Sequence, residues 1–148
     1  MPAITREYAE FFFQALSARD PETIAPFVAD DAEWLIVGPI ELFPFCGQHL
    51  GKAAVLAAYA RIGERHNTLD HVREFLMTDG ACASALTRVT DIQSGTGKLI
   101  NLRLAQFARF RDGQVFEFCS IIDTLGAAEQ VLGRALIEIG RASCRERV

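Results

Sequence analysis

The hydrophobic period of the chain changes once, about midway along its length. In the first half, apolar residues recur at helical spacing, beginning with Ile4, Tyr8, Phe11, Phe12 and Ala15. This spacing predicts an amphipathic first helix. In the second half, alternation with a period of two predicts strands joined by short, glycine-rich turns. Helices followed by a run of hairpins indicate an α+β domain, with helices on one face of a mostly antiparallel sheet.

The individual elements follow from the same patterns. Four helices are predicted, over residues 4–19, 21–29, 52–65 and 124–138. Five strands are predicted, over residues 32–37, 68–77, 81–92, 98–110 and 114–123. The stretch 38–51 is rich in Gly, Pro and Phe and is predicted to be an irregular loop.

The composition is that of one globular domain. The chain has 148 residues, of which 50% are hydrophobic and 23% are charged. It is too hydrophobic for intrinsic disorder and too short for two separate cores. No apolar run approaches the roughly 20 residues of a membrane helix, and a net charge of −4 gives no attraction to nucleic acid. We therefore expect a cytoplasmic protein with neither nucleic-acid nor membrane partners.

The cysteines give no sign of a metal site. Cys46, Cys82, Cys119 and Cys144 are widely spaced and form no CxxC pair. No histidine lies at a spacing that would complete a zinc site with them. We interpret them as reduced thiols, and we expect neither a metal nor another cofactor.

The last ten residues differ in character from the rest. Ile139–Val148 reads IGRASCRERV, where the apolar helical pattern stops and arginines accumulate. This string resembles the translation of a widely used sequencing adapter. We interpret residues 1–138 as a single domain and 139–148 as a non-native tail from adapter read-through. The alternative is a natural basic tail.

Four motifs in a set order resemble a known superfamily. They are Phe27–Trp34 (FVADDAEW), Phe45–Val55 with its glycines, Phe107–Val115 (FARFRDGQV) and Asp123–Gly133. Their order and spacing resemble nuclear transport factor 2-like proteins, in particular the SnoaL-like group related to ketosteroid isomerases. The resemblance implies a cone-shaped fold, in which a strongly curved sheet wraps around three helices and a further helix follows.

The resemblance also implies an apolar pocket for a small molecule and, as in many members, a homodimer through the outer sheet face. Strand alternation is expected to place Val89, Asn101, Arg103 and Phe107 on that outer face. A sheet with apolar residues on both faces needs a second partner for its outer side. We therefore expect a homodimer.

The catalytic residues of ketosteroid isomerases are not retained. Those enzymes use a carboxylate base, a tyrosine donor and a protonated acid. By motif position, the base falls on Ile36, the tyrosine on Phe12 and the acid on Gln106. Because Phe and Ile cannot transfer a proton, steroid isomerase chemistry is not expected.

Limonene-epoxide hydrolases resemble this chain through residues 96–107. Their mechanism places an arginine between two aspartates, of which one activates water and the other protonates the epoxide oxygen. The arginine falls on Arg88 if one residue is inserted after it, but the two acids fall on Thr90 and Ser120. The complete triad of that family is therefore absent.

Strand alternation predicts the walls of the pocket. Because side chains two apart share a face of a strand, Arg88 and Thr90 are expected to point inward together, with Arg88 as the pocket's only cation. The other predicted substrate-binding residues are mostly apolar: Phe12, Trp34, Ile36, Tyr59, Leu102, Leu104, Gln106, Phe118, Ser120 and Ile122. A mostly apolar cleft with few polar groups is typical of a small-molecule site.

Three residues are candidates for catalysis. Arg88 would bind a substrate oxygen, or would be structural, since a buried cation needs a partner. Asp123 lies where SnoaL-like cyclases carry an acid–base aspartate, but it also precedes a helix and suits an N-cap. His49 lies near the expected pocket mouth and is a candidate for acid–base work. His66 is interpreted as a charge at a helix C-terminus, and His71 as a sheet-face residue.

Two functions are compatible with these residues. The first is a cofactor-independent lyase, isomerase, cyclase or epoxide hydrolase acting on an apolar, oxygen-bearing substrate. The second is a non-catalytic module for small-molecule binding or dimerisation. The missing carboxylates favour the second, whereas Arg88 and Asp123 favour the first. An observation that both line one cavity would support the enzyme.

Overall fold

The computed structural model describes residues 2–136. The helices are α1 (Arg6–Ala18), α2 (Pro21–Ile24), α3 (Lys52–Arg65) and α4 (Thr124–Leu132), with a 3-10 turn at Ala25–Phe27. The strands are β1 (Val28–Val37), β2 (Gly47–Leu50), β3 (His66–Asp79), β4 (Cys82–Gln93), β5 (Leu99–Arg111) and β6 (Gln114–Ile122).

All six strands form one sheet in the order β2-β1-β6-β5-β4-β3. Every neighbouring pair is antiparallel except β1 and β6, which run parallel. The register shifts twice between β3 and β4, once between β5 and β6 and once between β1 and β6. Such irregularities bend strands and increase their twist, which suits a sheet that curves around helices. The predicted α+β fold with a curved, mostly antiparallel sheet is confirmed.

The helix ends follow local chemistry. The side chain of Thr5 accepts a hydrogen bond from the backbone of Tyr8 at the start of α1, and Asp20 caps α2 in the same way. The last helix was expected to run to residue 138, but α4 ends at Leu132. Gly133 follows it with a φ of 71°, a left-handed conformation that glycine adopts without strain and that terminates helices.

Strand β2 lies inside the stretch predicted to be a loop. It has four residues and pairs only with β1, so it forms one edge of the sheet. A strand of four residues in a segment rich in glycine and proline shows too little alternation of apolar and polar residues to be predicted from the sequence. Strand β1 also begins earlier than expected, at Val28 rather than at residue 32.

The core lies between α1, α3 and the inner face of the sheet. Its largest fully buried side chains include Phe12, Phe13, Trp34 and Phe110. Among residues 2–136, no helix is long and apolar enough to cross a membrane. The proposed tail, Ile139–Val148, lies outside the described residues, so its non-native origin stays a prediction.

Candidate functional site

A cavity of about 70 Å³ lies between the helices and the inner face of the sheet. Strands β4, β5 and β6 contribute Val89, Leu102, Leu104 and Ile122 to its apolar wall, and the helices, β1 and the segment before β2 contribute the rest. Its polar lining includes a set of ionisable side chains that come from three different elements: Arg19, His66, His71 and Asp91. An apolar cavity with a few convergent polar groups is the usual form of a small-molecule site.

The central contact of this cavity is an ion pair between Arg19 and Asp91. Arg19 Nη1 donates a hydrogen bond of 2.8 Å to Asp91 Oδ2. The two side chains are 12% and 1% exposed, so both charges are largely removed from water. Burial of a charge is costly without a partner, and this pair supplies one for each group.

The end of α1 brings Arg19 to the cavity. Arg19 follows the last turn of α1 with a φ of 55°, and its backbone N–H donates to the carbonyl of Leu16. Its own carbonyl oxygen lies against α3, where a Cβ added at Gly63 would be only 3.1 Å away. A larger residue at Gly63 would therefore press on the backbone that carries the guanidinium.

His66 lies beside the ion pair. It begins β3, is almost fully buried, and its Nδ1 is 3.9 Å from Asp91 Oδ2. This distance is too long for a hydrogen bond. Burial lowers the pKa of His66 although the charge of Asp91 acts in the opposite direction, so the imidazole is neutral near pH 7.

Two polar atoms of this group have no hydrogen-bond partner within residues 2–136. They are His66 Nδ1 and Asp91 Oδ1, and both are buried. Buried polar atoms are nearly always hydrogen-bonded, so an unpaired donor or acceptor in a cavity indicates a place for a water or a ligand.

Tyr59 of α3 also lines the cavity. Trp34 Nε1 donates a hydrogen bond of 3.3 Å to its hydroxyl oxygen. Burial raises the pKa of Tyr59 to about 12. The phenol therefore stays protonated at neutral pH, and its own proton is available to an acceptor in the cavity.

A second, polar cleft adjoins the cavity at the protein surface. It measures about 490 Å³ and includes Asn67, Thr68 and Asp70 of β3. Four residues line both the cavity and the cleft: Ser17, Arg19, His66 and His71. These four form the boundary between the surface cleft and the apolar interior.

The structure places seven of the predicted substrate-binding residues around the cavity: Ile36, Tyr59, Leu102, Leu104, Gln106, Ser120 and Ile122. Three other predicted residues, Phe12, Trp34 and Phe118, do not line it. They pack against one another in the core, with the Trp34 and Phe118 rings stacked at 4.1 Å.

The predicted orientation of β4 is wrong. Val89 lies opposite Leu102 in the register of β4 and β5, and Val89 is only 1% exposed, so it faces the cavity rather than the outer side. Arg88 therefore points outward. Its side chain is 61% exposed and lies 3.7 Å from Glu74. Thr90 also faces outward and donates a hydrogen bond to Asn101.

The error has a simple physical cause. A shift of one residue exchanges the two faces of a strand. Both faces of β4 carry apolar as well as polar residues, so alternation alone does not identify the inner one. The cation that lines the cavity is Arg19, not Arg88. Asp91 lies on the inner face of β4 and pairs with Arg19.

The other two catalytic candidates make local contacts away from the cavity. The Asp123 carboxylate is exposed and accepts a hydrogen bond of 3.0 Å from the backbone N–H of Gly126, as the N-cap interpretation requires. His49 lies on β2, where its Nε2 is 2.7 Å from the carbonyl oxygen of Phe45. Neither residue lines the cavity that contains Asp91.

The sequence alone does not identify Arg19, His66 and Asp91 as cavity residues. Once the inner face of β4 is known, a charged residue on that face indicates a functional candidate, and this criterion selects Asp91. His66 was interpreted as a helix terminus because α3 ends at Arg65, but it begins β3 and is buried. No sequence signal distinguishes Arg19 from other arginines at helix ends.

In the part of the chain that the structure describes, no cluster of three His, Cys, Asp or Glu residues could hold a metal ion.

The curved sheet, the helices on its inner face and the internal cavity define a nuclear transport factor 2-like fold. A protein of Rhodopseudomonas palustris described as a candidate isomerase has a TM-score of 0.80 and 33% sequence identity, over 86% of this chain and 97% of that one. The SnoaL-like domain family matches residues 9–118. The chain belongs to this SnoaL-like family.

Two more distant structures share the fold. A protein of Catenulispora acidiphila with a ketosteroid isomerase-like fold, in complex with trimethylamine, has a TM-score of 0.71 and 13% identity, over 88% of this chain and 95% of that one. An epoxide hydrolase of Mycobacterium tuberculosis that is similar to limonene-epoxide hydrolase has a TM-score of 0.67 and 15% identity, over 96% and 95%. No curated protein matches the sequence.

Proposed function

We propose that this protein is an acid–base enzyme that moves a proton on a small, apolar carbonyl compound. The observation that carries this proposal is the Asp91 carboxylate in the lining of an apolar cavity: one oxygen is bound to Arg19, and the other is buried without a hydrogen-bond partner among residues 2–136. The guanidinium offsets the cost of burying the carboxylate, and a positioned carboxylate is a common general base in enzymes. The Arg19 contact also holds the carboxylate in one orientation.

The walls of the cavity support an apolar substrate. Leu102, Leu104 and Ile122 bury the body of a ligand, while the few polar side chains orient it. The cavity is smaller than the ~300–1,000 Å³ typical of drug-sized ligands. We therefore propose a substrate of only a few carbon atoms, or one that also extends into the adjoining cleft. The candidate isomerase from R. palustris agrees with proton-transfer chemistry on this scaffold.

Replacement of Asp91 with asparagine tests the proposal. We expect the protein to accelerate exchange of the α-protons of cyclopentanone for deuterium in D₂O, measured by NMR. Asp91→Asn should reduce the catalysed rate by at least about 100-fold, the lower end of general-base catalysis. An amide has nearly the same shape as a carboxylate but cannot take the proton.

Asp31→Asn is a matched control. Asp31 also pairs with an arginine, Arg111, but on the surface and away from the cavity. This control should exchange the ketone at the wild-type rate. If Asp91→Asn is as active as the control, Asp91 is not the base. Cyclopentanone binding without any catalysed exchange in the wild-type protein would favour the non-catalytic binding module.

We also propose that two copies of the chain pair through the outer sheet face. A groove on this face is lined by Leu35, Met77 and Phe107, of which Phe107 is 50% exposed. Burial of such apolar surface against a second copy would stabilise a two-fold dimer. Light scattering at micromolar concentration should give the mass of a dimer.

Phe107→Glu should shift that mass to a monomer, because the substitution places a charge in the interface. Phe11→Glu is the control, since Phe11 is exposed on α1 rather than on the sheet. A monomeric mass for the wild-type protein would contradict the dimer. Cys46, Cys82 and Cys119 form no disulfide with one another in the part of the chain that the structure describes, which suits a reducing compartment, and we propose a cytoplasmic location.

A further inference from the structure

His66 is placed to contact a ligand at the entrance of the cavity. Its ring lines both the apolar cavity and the polar surface cleft, and its side chain is almost fully buried. Its Nδ1 has no hydrogen-bond partner within residues 2–136, although it lies close to the Asp91 carboxylate. Asp91 Oδ1 likewise has no hydrogen-bond partner in the described part of the chain, and both residues line the same cavity.

We propose that His66 Nδ1 donates a hydrogen bond to the carbonyl oxygen of the substrate while Asp91 Oδ1 faces the adjacent carbon. This inference rests on the proposed acid–base function and adds a second catalytic residue to it. A carbonyl oxygen and its α-carbon are separated by a single atom, so one small ketone can reach both side chains.

The charge of Asp91 favours the imidazole tautomer that carries its proton on Nδ1. A neutral histidine carries its proton on one nitrogen and a lone pair on the other. A carboxylate oxygen 3.9 Å from Nδ1 repels a lone pair on that nitrogen and attracts an N–H. Nδ1–H is therefore the favoured arrangement, and the distance leaves this proton free for a substrate oxygen.

Aromatic neighbours hold the ring in place. The ring centroids of Phe43 and Phe45 lie 6.1 Å and 5.7 Å from that of His66. A donor fixed in advance stabilises the negative charge that develops on a carbonyl oxygen when the α-proton leaves. The substrate class that follows is a small ketone or aldehyde with an acidic α-hydrogen, which enters from the cleft with its carbonyl group near His66.

His66→Phe tests this role because it removes the donor and keeps an aromatic ring beside Phe43 and Phe45. We expect this variant to bind cyclopentanone up to about tenfold more weakly than the wild type, the loss corresponding to one hydrogen bond. Binding of cyclopentane, which has no oxygen, should change less than about twofold, because the phenylalanine ring still buries the apolar surface of the ligand. Both affinities are measured by NMR titration, and the α-proton exchange rate should fall as well.

Asp31→Asn again serves as the control, because Asp31 is exposed at the surface and does not line the cavity. It should match the wild type in every assay. Equal loss of both ligands in His66→Phe would show a packing role, and unchanged cyclopentanone binding and exchange would show no role; either result overturns the proposal. If His66→Phe selectively weakens ketone binding while Asp91→Asn stays active, the His66 contact stands and the assignment of Asp91 as base fails.

Discussion

Replacement of Arg19 with methionine is expected to lower the free energy of unfolding by about 3–5 kcal/mol at pH 7, the range for breaking a buried ion pair. The cause is the Asp91 carboxylate, which is 1% exposed and accepts its 2.8 Å hydrogen bond from Arg19. Without the guanidinium, its charge would stay in the protein interior with no opposite charge in contact. Methionine keeps much of the apolar length of the arginine side chain. Urea denaturation of the purified variant measures the change.

Two further variants isolate the charge effect. The double variant Arg19→Met/Asp91→Leu should recover most of the lost stability, since it leaves no buried charge. Arg111→Met should change the free energy of unfolding by less than about 1 kcal/mol, because its partner Asp31 is exposed to water. A loss in Arg19→Met no larger than that in Arg111→Met would mean that the buried pair does not matter to stability.

Replacement of Phe12 with alanine is expected to cost about 3–5 kcal/mol of stability, the usual range for removing a buried aromatic ring. Phe12 is fully buried, and its ring contacts five other aromatic rings. They are those of Phe13, Phe27, Trp34, Phe110 and Phe118, with centroids 5.0–6.3 Å away. Thermal or urea unfolding monitored by circular dichroism measures the loss.

Phe11→Ala provides the comparison. It makes the same chemical change one position earlier on α1, where the side chain is 55% exposed, and should cost less than about 1 kcal/mol. By its position in the sequence, Phe12 is predicted to line the substrate site. If Phe12→Ala instead weakened cyclopentanone binding and left stability near that of Phe11→Ala, Phe12 would be a ligand contact rather than a core residue.

Several features of the structure could be predicted from the sequence because they depend on local patterns. The change of hydrophobic period indicated helices followed by hairpins, and the motif order indicated the family. On β5 and β6, apolar side chains are concentrated on one face, so Leu102, Leu104 and Ile122 could be assigned to the inner side. Asp123 could be anticipated as an N-cap, because capping depends only on the residues that follow it.

The group at the centre of the site was decided by tertiary structure. The inner face of β4 depends on its register with β5, which pairs Val89 with Leu102 and thereby turns Asp91 inward and Arg88 outward. The contact between Arg19 and Asp91 joins residues 72 positions apart, and no local pattern relates them. His66 becomes a cavity residue because β3 begins where α3 ends. Periodicity indicates which face of one element is apolar, but the meeting of ionisable side chains from three elements depends on how those elements pack.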